Sequence, residues 1–176
     1  MVVLMNDIIK VMDAMIGYYA GDVRRVNHFM KVYCFAKAIG ENESLTPAEQ
    51  KILEIAALTH DIGIKNSETK FNSSAGCYQE TEGPPVARKM LSSLGFDEPV
   101  VERVCWLIAH HHTYRNINGP DHAILVEADF LVNAYEDSMT PPSILSVRDK
   151  VFTTQTGKKY LDALYFKQQP SDDSAS

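Results

Sequence analysis

The run Ile52-Leu53-Glu54-Ile55-Ala56-Ala57-Leu58-Thr59-His60-Asp61 decides the reading of this chain, because a helix apolar enough to be buried ends here in two side chains that can ligate a metal. Upstream, Thr46-Pro47-Ala48-Glu49 has the form of a capping box: Thr46 is the N-cap, Pro47 takes the first helical position and Glu49 reaches back. A helix with so defined a start holds its C-terminal residues in place. Imidazole nitrogen and carboxylate oxygen suit divalent first-row metals, and a usable site needs more of them from elsewhere in the chain. His28, in the amphipathic stretch 24–32, and Asp129, in the apolar stretch 125–132, are polar residues embedded among apolar ones.

Each of these residues alone also admits a structural role. A buried aspartate without a partner is costly or protonates, so Asp61 or Asp129 could cap a helix or pair with a base. A lone His28 is more often a satisfied core residue. Their conjunction, in this order, tips the balance toward a metal.

A lone His, a His-Asp pair closing an apolar helix and a distant Asp within another resemble the HD superfamily of metal-dependent phosphohydrolases, from about Arg25 to Tyr135. The segment Ala57-Leu58-Thr59-His60-Asp61-Ile62-Gly63-Ile64-Lys65 is similar to that family's usual wording. The resemblance implies that His28, His60, Asp61 and Asp129 hold a divalent ion; besides ligating, Asp61 could orient the attacking water. Mixed nitrogen and oxygen ligation admits Fe, Mn, Co, Ni or Zn. Relatives with two metals place a further His a few residues before a Gly, but Tyr78-Gln79-Glu80-Thr81-Glu82-Gly83 has none. One tightly held ion is therefore expected, with a second left open; Glu80 could serve as an oxygen ligand, as a base beside the bound substrate or as a surface residue near a helix start.

His110-His111-His112 follows the apolar stretch 100–109. Consecutive helical side chains point about 100° apart, so one or two of the three can face a pocket. His110 or His111 is the candidate general acid, since imidazole titrates near neutrality. Solvation at the helix end, where imidazolium complements the dipole, is the alternative. The polar stretch 66–77 reads as a loop beside the site, flanked by Lys65 and Lys70, either of which could neutralise a phosphate as a point charge. In the turn-rich stretch 113–121, Arg115 could clamp phosphate and Tyr114 stack on a base or sugar, and both could equally be rim residues.

Periodicity is helical nearly throughout. Ile8, Ile9, Met12, Met15, Ile16 and Tyr19 share a face, a second helix stops at Gly40, Pro84-Pro85 opens another, Asp121 caps the one bearing Asp129, and Pro141-Pro142 and Thr156-Gly157 punctuate two more. The expected architecture is an all-α, single-domain bundle over residues 1–167 with a flexible polar tail at 168–176 and the metal between helices. A chain of 176 residues with 45% hydrophobic content can bury a full core.

The net charge of -6 argues against binding a nucleic-acid polymer, which needs a basic face. Three cysteines without zinc spacing suggest reduced thiols, with Cys34 and Cys105 in the core. The apolar opening 1–5 is interrupted by Asn6, Asp7 and Lys10, so no membrane span or signal core is expected and the cytoplasm is the expected compartment. A homodimer could use the apolar face of the first helix, and so could the core. No nucleophile motif or Gly-rich phosphate cradle is present.

The expected activity is metal-assisted hydrolysis of a phosphate ester, mono- or diester, with the resemblance suggesting a nucleotide or related phosphorylated small molecule. Two rivals share the scaffold: a non-catalytic metal- or nucleotide-binding sensor, and a di-iron oxygenase, which would need the ligand absent near Gln79.

Overall fold

The computed structural model describes residues 6–166, which form nine α-helices and no strand. The opening residues 1–5, the boundary drawn at 167 and the tail 168–176 lie outside the described residues. In chain order the helices are α1 (Asp7–Tyr18), α2 (Val23–Asn42), α3 (Pro47–Thr59), α4 (Ile64–Phe71), α5 (Gly76–Ser93), α6 (Glu98–Ile108), α7 (Pro120–Glu136), α8 (Pro141–Val151) and α9 (Gln155–Tyr165). None of them is long and apolar enough to cross a membrane.

Two helices make the centre. In α3 every residue from Leu53 to Thr59 is buried, and in α7 burial is continuous from Asp121 to Val132. α2 packs on both, α6 packs on α3, and α5 covers α6. A helix apolar on all sides belongs inside a bundle, so α3 and α7 bring whatever polar residues they carry into the interior. The capping box expected at Thr46 is formed, with Thr46 Oγ1 accepting from Glu49 N and Glu49 Oε2 accepting from Thr46 N at 3.0 Å.

Several local expectations are corrected. The stretch 66–77 is not all loop: α4 occupies Ile64–Phe71, because the hydroxyls of Ser67 and Thr69 bond back to the carbonyls of Gly63 and Lys65 at 2.9 and 2.7 Å rather than competing with the helix. It ends at Asn72, whose left-handed backbone (φ 51°) stops it. Pro84 and Pro85 lie inside α5, not at its start. Burial of Gly83, Ala87 and Leu91 carries the helix through them, and Cys105 Sγ donates to Pro84 O at 3.4 Å. α2 runs past Gly40 to Asn42. Gly119 rather than Asp121 is the N-cap of α7, since Asp121 is taken by Arg103 at 2.6 and 2.8 Å. Val11, Met15 and Tyr19 form the buried face of α1, with Ile9 and Ile16 exposed, and Cys34 is exposed while Cys105 is buried.

The turn after α3 is held from two sides. Tyr19, buried at the end of α1, donates its hydroxyl to Asp61 O at 2.7 Å. On the other side the chain passes backbone to backbone against α5: a Cβ on Gly63 would stand 2.6 Å from Gly83 N, and one on Gly83 would stand 2.6 Å from Ile108 Cγ2. Only glycine permits that approach.

Candidate metal centre

Four side chains from three places in the sequence converge under this turn. His28 comes from α2, His60 and Asp61 from the end of α3, and Asp129 from the middle of α7. His28 Nε2 lies 3.2 Å from His60 Nε2, 3.4 Å from Asp61 Oδ2 and 3.3 Å from Asp129 Oδ1. His60 Nε2 lies 3.5 Å from each of the same two carboxylate oxygens. His28, His60 and Asp129 are buried and Asp61 is partly exposed.

The hydrogen bonds on the far side of each ring fix what faces inward. His60 Nδ1 donates to Ala57 O at 2.8 Å and His28 Nδ1 donates to Glu136 Oε2 at 2.9 Å. A carbonyl and a carboxylate can only accept, so in the neutral rings both Nε2 atoms present lone pairs. Asn133 donates to Asp129 Oδ1 at 2.9 Å, and Lys31 also holds Glu136. Two nitrogen lone pairs and two carboxylate oxygens facing one another repel unless positive charge lies among them.

The donor set and its spacing fit a divalent ion. Bonds of about 2.0–2.1 Å in a tetrahedral site place neighbouring ligand atoms about 3.3 Å apart, and the five separations above run from 3.2 to 3.5 Å. With protons as the only cations, the same demand appears as shifted titration. Burial opposes a charge on His60, but Asp61 and Asp129 outweigh it and push its pKa up to about 9. His28 is likewise raised, burial opposing and Asp129 prevailing. Burial also opposes ionisation of the carboxylates, yet His60 and His111 bring Asp61 down to about 2, and His28 and His60 hold Asp129 well below its ordinary value.

A second group adjoins the first through Asp61. His111 Nδ1 donates to Ile108 O at 2.7 Å, which leaves the Nε2 lone pair pointing at Asp61 Oδ1, 3.6 Å away. That Nε2 is buried without a hydrogen-bond partner. Together with His112, whose pKa burial lowers to about 4, Asp61 and His111 offer three ligand atoms within 4.8 Å of one another. His112 Nε2 is 3.5 Å from Gln79 Oε1, so Gln79 stands at the position where sequence reasoning finds no histidine.

The remaining sequence-derived candidates divide. His111 is in the centre, but His110 is not: its Nδ1 donates to Trp106 O at 2.7 Å and its ring stacks on Trp106 at 4.1 Å. Lys65 is drawn away to Tyr18 O (2.6 Å) and lies over the Tyr18 ring, where it complements the C-terminus of α1. Lys70 pairs with Glu82 at 2.6 Å, and Glu80 accepts from His112 N at 3.1 Å. Arg115 is exposed and borders neither pocket beside the centre, while Tyr114 lines one of them.

Two pockets open beside the centre. A cavity of about 320 Å³ is lined by His28 and Asp61 together with Arg24, Arg25, Asp22, Glu68, Gln79, Asn133, Glu136 and Asp137. Arg25 is committed to Asp22 and Glu68 at 2.7 and 2.5 Å, whereas Arg24 is exposed and has no ion-pair partner among the described residues. The second pocket, about 370 Å³, includes Asp129 and His112. Sequence reasoning missed Arg24, Asn133 and Glu136. The last two were legible in part, because positions 129, 133 and 136 recur at helical spacing on one face of α7.

A solved structure, that of a predicted HD superfamily hydrolase from an uncultured Thermotogales bacterium, superposes with a TM-score of 0.61 at 24% identity, covering 90% of this chain and 83% of that one. At this identity the likeness establishes the fold. No curated protein matches the chain. The sequence model of the HD domain matches residues 25–150, which include all four converging side chains, and the chain belongs to the HD domain family.

Proposed function

We propose that the protein is a metal-dependent phosphohydrolase acting on a phosphate ester of a nucleotide or related phosphorylated small molecule. The observation that carries this reading is the convergence of His28 Nε2, His60 Nε2, Asp61 Oδ2 and Asp129 Oδ1 at 3.2–3.5 Å on the border of an open polar pocket. These atoms would hold a divalent ion, which would supply a Lewis acid for the phosphoryl oxygen and a water acidic enough to ionise near neutral pH.

The chain's own residues do the rest. Glu136 and Ala57 O orient the two imidazoles, and Asn133 orients Asp129. Arg24 is the uncommitted cation of the polar pocket and can meet a phosphate oxygen. The same pocket carries Asp22, Asp61, Glu68, Glu136 and Asp137 against Arg24 and Arg25, so it is net acidic. Phosphate binding therefore depends on the ion's charge as well as on Arg24. His111, directed at Asp61, would be the proton donor to the leaving oxygen in place of His110 once its Nε2 carries a proton.

A second reading rests on the Asp61, His111 and His112 group, which could hold a second ion with Asp61 shared between the two. His111 would then be a ligand, and leaving-group protonation would fall to water. Metal analysis separates the two readings as one or two ions per chain. Hydrolysis itself is tested by incubating the metal-analysed protein with Mn²⁺ and a panel of nucleotides, cyclic nucleotides and simple phosphate esters. Metal-dependent phosphate or nucleoside release, abolished in His60→Ala, is expected. Bound metal with no turnover of any of them supports a sensor instead.

A further inference from the structure

The pocket on the α8 side of the centre touches the ligand set through Asp129 and is otherwise unused by the proposed chemistry, and its composition is uneven. Its polar members gather on the side of the ligand set: Asp129 belongs to that set, His112 stands with Asp61 and His111, and Asn133 and Asp137 also line the polar pocket. The rest is carbon, from Val126, Phe130, Met139, Val147 and Val151, with the exposed Tyr114 ring also in the lining. Its volume of about 370 Å³ is at the low end of small-molecule sites.

This wall is built to stay in place. Glu127, fully buried on α7, accepts from Thr153 N at 2.6 Å and Thr154 N at 2.9 Å, and from the hydroxyls of both threonines. Phe152 packs edge-on against Phe130 at 5.8 Å. The end of α8, which supplies Val147 and Val151, is thus tied to the helix that supplies Asp129.

We propose that this pocket receives the organic group of the substrate and selects an apolar aryl or alkyl phosphate over a nucleotide read by the edge of its base. The inference rests on the phosphohydrolase reading and, of the substrates proposed there, takes the phosphorylated small molecule over the nucleotide. The two pockets meet at Asn133 and Asp137 with the ligand set between them, so an ester whose phosphate lies at the ion directs its organic group either toward the charged pocket or toward this one. An apolar group gains by leaving water here. A base edge would lose its hydrogen bonds to water against valine, methionine and phenylalanine without replacing them.

The test compares 1-naphthylmethylphosphonate with methylphosphonate, neither of which can be hydrolysed, by calorimetry on the Mn²⁺-loaded full chain. Turnover of 1-naphthyl phosphate is measured in parallel. The naphthyl compound is expected to bind at least tenfold tighter. The near-isosteric double variant Val147→Thr/Val151→Thr should remove most of that advantage while leaving methylphosphonate within twofold. Equal affinities in the native chain, no binding of either compound, or an advantage unchanged in the double variant would overturn the assignment, and the first comparison stands even if the variant does not fold. Preferential binding without any turnover sinks the hydrolase reading and keeps the pocket; turnover without preference does the reverse.

Discussion

His60 is the residue on which most of the chemistry turns, and its surroundings leave it two choices, a proton or a metal. Its Nδ1 is committed to Ala57 O, its Nε2 faces Asp61 and Asp129, and those carboxylates hold its pKa at about 9 when only protons compete. A metal must displace that proton, so affinity for the ion is expected to rise with pH up to about 9, with protons released on binding; calorimetry in buffers of different ionisation enthalpy measures both. Glu136 acts through His28, and Glu136→Gln should weaken metal binding by roughly 10–100-fold. Removing the Lys31 contact alone, as in Lys31→Met, should do far less. His111→Ala should lower kcat by roughly 10²–10⁴-fold if His111 is the proton donor, whereas His110→Ala, which loses its stack on Trp106 and its hydrogen bond to Trp106 O, should leave kcat within a few-fold.

The helices explain why some of this was legible in the sequence and some was not. His28, His60, Asp61 and Asp129 stood out because each interrupts an apolar helical pattern, and buried polar groups need partners. Which member of the His triplet turns inward was not legible. It depends on the turn at the end of α6, where the carbonyls of Trp106 and Ile108 capture His110 and His111 in different directions. Lys65 was misread for a related reason: sequence proximity to Asp61 does not set direction, and the carbonyl of Tyr18 draws it to α1. α4 was hidden because Ser, Thr and Asn usually mark loops, and the prolines of α5 because local rules place them at helix starts. The close approach of Gly63 to Gly83 could not be read from either segment alone. Gly63→Ala is expected to destabilise the protein by about 1–3 kcal/mol and to perturb metal binding with it, because the displaced backbone lies two residues after Asp61. Chemical denaturation with and without metal checks both effects.

On the scale of the whole molecule, an ion held by the proposed ligands would join distant parts of the chain. α2, α3 and α7 each contribute to the centre, so an ion there links residues 28, 60–61 and 129 and stabilises the fold in proportion to its affinity and concentration. The metal-free protein has its own pH dependence. His60 is raised from 6.5 to about 9 in the folded chain, so the stability it contributes is complete below pH 6.5 and is lost as pH rises toward 9. His28 is shifted in the same direction, while the lowered value of His112 acts only below pH 6.5. The metal-free Tm is therefore expected to fall by roughly 5–10 °C between pH 6.5 and 9. The metal-loaded protein should show no such fall, because the ion has already replaced the proton. Parallel thermal melts across that window distinguish the two forms.

If His28, His60, Asp61 and Asp129 hold one ion together, the metal content of the protein depends on each of them. The native chain and the single variants His28→Ala, His60→Ala and Asp129→Asn would be loaded with Mn²⁺, desalted and analysed for metal, with circular dichroism confirming that each variant keeps its helices. At least one ion per native chain and a loss of tightly held metal in all three folded variants are expected. Folded variants that retain metal at the native level would contradict the claim.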